Sequence, residues 1–197
     1  MRGSAGKIGY WRAAVGGLSK RSIDLFVATL ATMVLAPLFL AVAVLITGLI
    51  GRPVIVAERR IGLGGKVFAS YVFRTAPATG ASIGRCVTMV SDGLTASGLD
   101  RLPQLFNILR GDMSLVGPEA LKPEDALSHF TDTPELLLAR PGLTGMHHYV
   151  PNRLRQQVSE SDPGRLYVLH WSVWLDLCIA GGALVRVQAQ RAIRPAK

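Results

Sequence analysis

The sequence predicts an α+β fold: a small, mainly helical domain carrying one β-hairpin and attached by an N-terminal membrane helix. Three observations predict it. Leu25 to Ile50 holds no charge, two β-type runs flank a glycine-rich turn between Val54 and Phe73, and the remainder sets apolar residues at helical spacing between Pro and Gly breaks. At 197 residues the chain has room for one domain with a buried core plus that attachment.

The first segment, residues 1–21, contains Arg2, Lys7, Arg12, Lys20 and Arg21 without an acid, with Tyr10 and Trp11 among them. It suits an interfacial arm on anionic lipid, and a solvated tail is the plainer alternative. The membrane helix follows over residues 22–51. Leu25 to Ile50, as a straight helix at ~1.5 Å per residue, would be roughly 39 Å long, more than the ~30 Å hydrocarbon core requires. Pro37 lies at its middle, where it deletes a backbone hydrogen bond and bends the helix. Both flanks are basic, with Lys20 and Arg21 before it and Arg52, Arg59, Arg60 and Lys66 after it, which draws both ends to the cytoplasmic face. The residues alone leave two readings open: a helix that turns back at Pro37, and a tilted span that accommodates the proline.

Residues 52–187 form the globular part. A strand at Val54–Val56, a turn with Gly62, Gly64 and Gly65, and a second run from Val67 to Phe73 predict the hairpin. Residues 76–98, rich in Gly, Ser, Thr and Ala, read as a loop with one short helix. Leu102, Leu105, Phe106 and Leu109 then fall on a helical face, with Pro103 suited to the first turn and Gly111 to the stop, which puts Asp100 at the helix N-terminal end. A second helix is predicted over 124–139, broken near Pro134, and "RPGLTG" (140–145) reads as a turn. A third begins near Arg165 and is apolar on most faces, as expected of a helix in the interface, against the membrane segment, or making a poor second span. Residues 188–197 form a basic tail.

Lys and Arg number 22 against 13 Asp and Glu, a net charge of +9, so an anionic partner is expected. The sequence carries no nucleic-acid recognition motif, and anionic lipid accounts for the charge. Cys86 and Cys178 are far apart with neither a CxxC pattern nor a flanking His, which excludes a zinc motif and a disulfide framework and predicts two small buried residues in a reducing compartment. Phosphoryl chemistry needs an acid to bind a divalent metal or attack phosphorus, and cations to spread charge. The candidate acids are Asp100 and Asp112; the candidate cations are Arg60, Lys66, Arg74, Arg101 and Arg110. Solvated faces and ion pairs are the plainer reading of the same charges. His147 and His148 are adjacent, so in a strand they would point to opposite faces and share no single task.

Taken in order, "KRSIDL" before the apolar run with its central Pro, "ERRIGLGGKVF" and "FRT", "LDRLPQLFNILRGDMSLVGP", "RPGLTG" and "YVLHWSVWLDLCI" resemble the bacterial sugar transferases. These are monotopic phosphoglycosyl transferases that move a sugar 1-phosphate from a nucleotide sugar to a polyprenyl phosphate. The resemblance covers Lys20 to about Val187. It implies a re-entrant helix turned at Pro37, a domain on the cytoplasmic face of the bacterial inner membrane, and a role in starting polysaccharide or glycoconjugate assembly beside partner enzymes. It also implies a magnesium ion and an attacking Asp, matched by Asp100, that forms a covalent phosphosugar intermediate and serves as metal ligand. Arg60, Lys66, Arg74 and Arg110 are the expected phosphate-binding residues.

The chain departs from the family pattern at charged positions. The Glu that follows the attacking Asp is Arg101, the Lys before "FRT" is Val72, the Gln-Glu before Arg60 is Glu58-Arg59, and Pro-Arg-Pro is Pro118-Glu119-Ala120. Arg101 beside Asp100 is expected to depress the carboxyl pKa and repel a cation. The reciprocal changes at Arg101 and Glu119 predict an ion pair between them. The alternative function that follows is a scaffold or regulator of the same pathway, which parts from the enzyme at Asp100, Arg101 and Val72.

Overall fold

A computed structural model of the chain describes residues 15–76, 85–125, 133–145 and 163–192, with side chains to 182. The arm before residue 15, His147, His148 and residues 193–197 of the expected tail lie outside the described residues, while residues 188–192 of that tail are helical. Helix α1 (Gly17–Leu49) is followed by strands β1 (Ile55–Ile61) and β2 (Val67–Phe73), helix α2 (Arg85–Ser97), helix α3 (Gln104–Arg110) and strand β3 (Ser114–Val116). Strand β4 (Gly142–Thr144) and helices α4 (Pro163–Leu169) and α5 (Val173–Ala192) complete the order. The expected α+β character holds, mainly helical with one antiparallel hairpin.

Helix α1 organises the rest. It is long and apolar enough to cross a membrane, yet one of its faces belongs to the domain along the whole length. Lys20, Asp24 and Ala28 are buried at one end and Val42 and Ile46 at the other, each spaced by one helical turn. Ala28 joins Phe68, Leu105, Ile108 and Met113 in one core cluster; Val42, Ile46 and Ile50 join Phe73 and Leu94 in a second. Between them the Phe39 ring lies 4.8 Å from that of Phe73 and 5.6 Å from that of Phe106. The opposite face exposes Leu18, Phe26, Met33, Val34, Leu40 and Val44. Pro37 sits inside an uninterrupted helix. A proline removes one backbone bond, and the packing on either side of it holds the element together.

The "KRSIDL" residues, expected to mark a charged flank, are anchors. Lys20 Nζ donates to Asp176 of α5 at 2.6 Å, and Tyr167 Oη and Trp171 Nε1 reach the same carboxylate at 2.7 and 3.1 Å. Arg21 donates to the carbonyls of Ile108 and Leu109 at 2.7 and 3.1 Å, satisfying the C-terminal end of α3. Asp24 accepts from Ser114 Oγ at 2.7 Å and from the Leu115 N–H at 3.2 Å, fixing β3 against α1.

The hairpin pairs in the register Ile55 with Phe73 through Ile61 with Val67, and Leu63–Gly65 form its turn as a short 3-10 segment. Asn107, fully buried on α3, binds the free edge of β2: its Oδ1 accepts from the Tyr71 N–H at 2.9 Å and its Nδ2 donates to the Ala69 carbonyl at 2.6 Å.

Five expectations are corrected. Residues 85–97 make a full helix, longer than the short one read from that loop-like composition, because Val87, Val90 and Leu94 pack on the core around Ile46. "RPGLTG" is not only a turn: Gly142–Thr144 pairs in parallel with Ser114–Val116. Of the helix expected over 124–139, residues 126–132 lie outside the described residues, and Pro134–Leu138 form a 3-10 turn whose next residue is already extended. The third helix breaks at His170–Ser172 into α4 and α5, and Asp176 caps the break by gathering Lys20, Tyr167 and Trp171. Both thiols are free; Cys86 is exposed rather than buried and Cys178 is half-buried.

Candidate functional site

Asp100 is placed by a local sequence of turns. Gly98 adopts the left-handed region (φ +72°), which a side chain resists, and so ends α2 and opens the 3-10 turn Leu99–Arg101. Pro103 then starts α3, so Asp100 lies one short turn ahead of that helix.

Glu58 and Arg60 of β1, Ser70 and Val72 of β2, Asp100, Arg101, Gln104 and Glu119 line one cleft of about 170 Å³. Gln104 Nε2 donates to Ser70 Oγ at 3.1 Å, closing α3 onto the strand. Arg60 is fixed from two sides, donating to Glu58 Oε2 at 2.6 Å and to the Ala120 carbonyl at 2.9 Å. The Ile61 N–H donates to the Leu121 carbonyl, which holds the segment after Val116 beside the cleft and brings Glu119 to it. Asp100 Oδ1 is buried without a hydrogen-bond partner in the described structure. Burial pushes the Asp100 carboxyl above the usual carboxylate range, Arg101 and the local backbone N–H groups pull it back, and Glu58 adds to the rise. This corrects the expected depression: desolvation outweighs the neighbouring guanidinium, because Arg101 is itself exposed and water screens it.

Among the described residues no three Asp, Glu, His or Cys side chains gather at metal-ligand spacing. Magnesium asks for less than that, one or two carboxylates with the substrate phosphates and water completing the shell. The orphaned Asp100 oxygen fits such a role.

The other expected residues divide. Arg60 shares the Asp100 cleft. Lys66 and Arg110 line a separate, larger cleft of about 450 Å³ together with Arg21, Asp112 and Arg140. Arg74 lines neither; its guanidinium donates to the Arg52 and Ala76 carbonyls at 2.7 and 2.8 Å and pins the ends of the hairpin. Arg101 and Glu119 face the same cleft, and no ion pair joins them among the described residues. Sequence reasoning missed Ser70 and Gln104 and named Glu58 only as a departure from the family pattern, since polar residues scattered over two strands and a helix share no local pattern. It also missed Arg21 and Arg140, which lie in segments read as a membrane flank and a turn.

A carboxylate with a free oxygen, two guanidiniums in one cleft and an apolar helix bound along the domain define a protein equipped to handle phosphoryl groups beside a membrane-type element. The sequence profile of the bacterial sugar transferases matches residues 15–189, and the chain belongs to that family. It is 34% identical over 189 residues to an exopolysaccharide production protein, ExoY, of Sinorhizobium fredii, covering 84% of this chain and 83% of that one. It is 35% identical over 178 residues to a UDP-glucose:undecaprenyl-phosphate glucose-1-phosphate transferase of Caulobacter vibrioides, covering 82% and 67%. A UDP-N-acetylgalactosamine-undecaprenyl-phosphate N-acetylgalactosaminephosphotransferase of Aeromonas hydrophila is 31% identical over 178 residues, covering 81% of this chain and 41% of that protein.

Proposed function

We propose that the protein transfers a sugar 1-phosphate from a nucleotide sugar to a polyprenyl phosphate, with Asp100 as the attacking group. The observation that carries this reading is the buried, unpartnered Asp100 oxygen in a cleft that also holds Arg60 and Arg101, in a chain whose relatives are named as undecaprenyl-phosphate sugar phosphotransferases. The ionised carboxylate attacks the sugar-linked phosphorus and the nucleoside monophosphate leaves. The acceptor phosphate oxygen then attacks the same phosphorus and releases Asp100. A raised carboxyl pKa makes the ionised form a better nucleophile, while Arg101 favours that ionised form. Arg60, already fixed by Glu58 and the Ala120 carbonyl, offers a positioned positive charge to the departing phosphate. A magnesium ion held by Asp100 would neutralise diphosphate charge during the exchange.

Attachment follows from α1. Because the domain holds both ends of the helix, a simple crossing would drag the domain's own contacts through the bilayer. The packing supports a one-sided attachment in which the exposed apolar face of α1 enters the cytoplasmic leaflet of the inner membrane without crossing, the basic residues meeting anionic headgroups.

The test is release of UMP by the detergent-solubilised protein given magnesium, polyprenyl phosphate and a panel of UDP-sugars. The reading predicts release with at least one donor and none from Asp100→Ala. A folded protein that releases no UMP with any donor contradicts it.

A further inference from the structure

The second cleft shares no lining residue with the Asp100 cleft. Four cations from four separate segments, Arg21, Lys66, Arg110 and Arg140, meet there against one carboxylate, Asp112. Three of them are oriented by their own bonds. Arg21 is held by the α3 carbonyls, Arg110 Nη1 donates to Tyr71 Oη at 2.6 Å, and Arg140 Nε donates to the Gly111 carbonyl at 3.0 Å. Lys66 Nζ has no partner among the described residues. Arg140 stands close enough to Arg21 for their like charges to oppose each other. A cleft that holds unbalanced positive charge in fixed positions is built for a polyvalent anion, because the donors are already placed and the anion relieves their repulsion. At about 450 Å³ it falls within the ~300–1,000 Å³ usual for small-molecule sites.

We propose that this cleft binds a phosphate group, at a site distinct from the one that holds Asp100. Two sources share that chemistry. Arg21 lies just ahead of the uncharged part of α1, so in the proposed attachment a lipid headgroup would reach it, and a soluble phosphate compound would meet the same donors. The site stands apart from the transfer reaction, so failure of the UMP-release test leaves it untouched.

The experiment titrates inorganic pyrophosphate into the detergent-solubilised full chain without magnesium, using the wild type, Lys66→Gln, Arg110→Gln and Arg101→Gln. All three side chains are exposed, so the variants keep the fold. Lys66→Gln and Arg110→Gln are each expected to weaken binding about tenfold, and Arg101→Gln to leave it within about twofold. No binding by the wild type, or loss only in Arg101→Gln, overturns the proposal. Repeating the titration in nanodiscs assigns the source. Weaker pyrophosphate binding with phosphatidylglycerol than with phosphatidylcholine alone supports the site with a lipid headgroup in it; equal binding supports it as a site for soluble phosphate.

Discussion

At the scale of single residues, Asp100 and Arg101 act against each other. Arg101 is the principal influence lowering the Asp100 carboxyl pKa against the rise caused by burial. Replacing it with Gln removes that influence, so the carboxyl titrates higher and less of it is ionised at a given pH. The acid limb of UMP release is therefore predicted to move to higher pH in Arg101→Gln, and a pH–rate profile with an unmoved or lowered limb contradicts this. Asp100 was legible in the sequence because a charged residue beside a Pro-and-Gly-bounded helix stands out, whereas Arg60, on β1, was legible only as one of several cations. The direction of the pKa shift was not, since sequence gives the neighbour and hides the burial. Lys20 was legible as a basic residue and illegible as a partner of Asp176, 156 positions away. With side chains 9% and 17% exposed, that pair is enclosed, and Lys20→Met leaves a buried carboxylate short of its cation. A loss of about 3–5 kcal/mol is expected by chemical denaturation in detergent, against which a change below about 0.5 kcal/mol counts decisively.

Among the elements, α3 ties the site to both neighbours. Its Asn107 takes the place of a missing strand at the edge of β2, and its C-terminal Gly111, at φ +97°, leaves room for Arg21, whose Nη2 would sit 3.3 Å from an added Cβ. Asn107→Leu orphans two buried backbone groups, at about 1–3 kcal/mol each. Gly111→Ala adds left-handed strain of about 1–3 kcal/mol. Thermal unfolding should rank both below the wild type; a stable Asn107→Leu contradicts the edge role. The hairpin and α3 were legible because alternation, a glycine turn and a Pro-to-Gly frame are local signals. Strand β4 was not, because three residues before a glycine acquire strand character only from β3. The extent of α2 was hidden by its Gly, Ser and Thr content, which tertiary packing overrides.

For the whole molecule, an apolar helix is gripped at both ends, and the Asp100 cleft is held against the hairpin that α1 supports, so the proposed attachment and the proposed transfer share one arrangement. The apolar run was plain in the sequence, and the domain's hold on both of its ends was not, because that packing is spread over contacts distant in the chain. Single cysteines at Leu18 and at Arg52, in a background lacking Cys86 and Cys178, are predicted to label from the same side of sealed membrane vesicles; labelling from opposite sides contradicts one-sided attachment. The most direct measurement concerns the reaction itself. The full chain is mixed with magnesium and a productive UDP-sugar, without lipid acceptor, and its mass and peptides are read. The account predicts a gain of one sugar phosphate on the peptide carrying Asp100, discharged when polyprenyl phosphate is added. UMP release that requires both substrates together, with no adduct on Asp100, would contradict it.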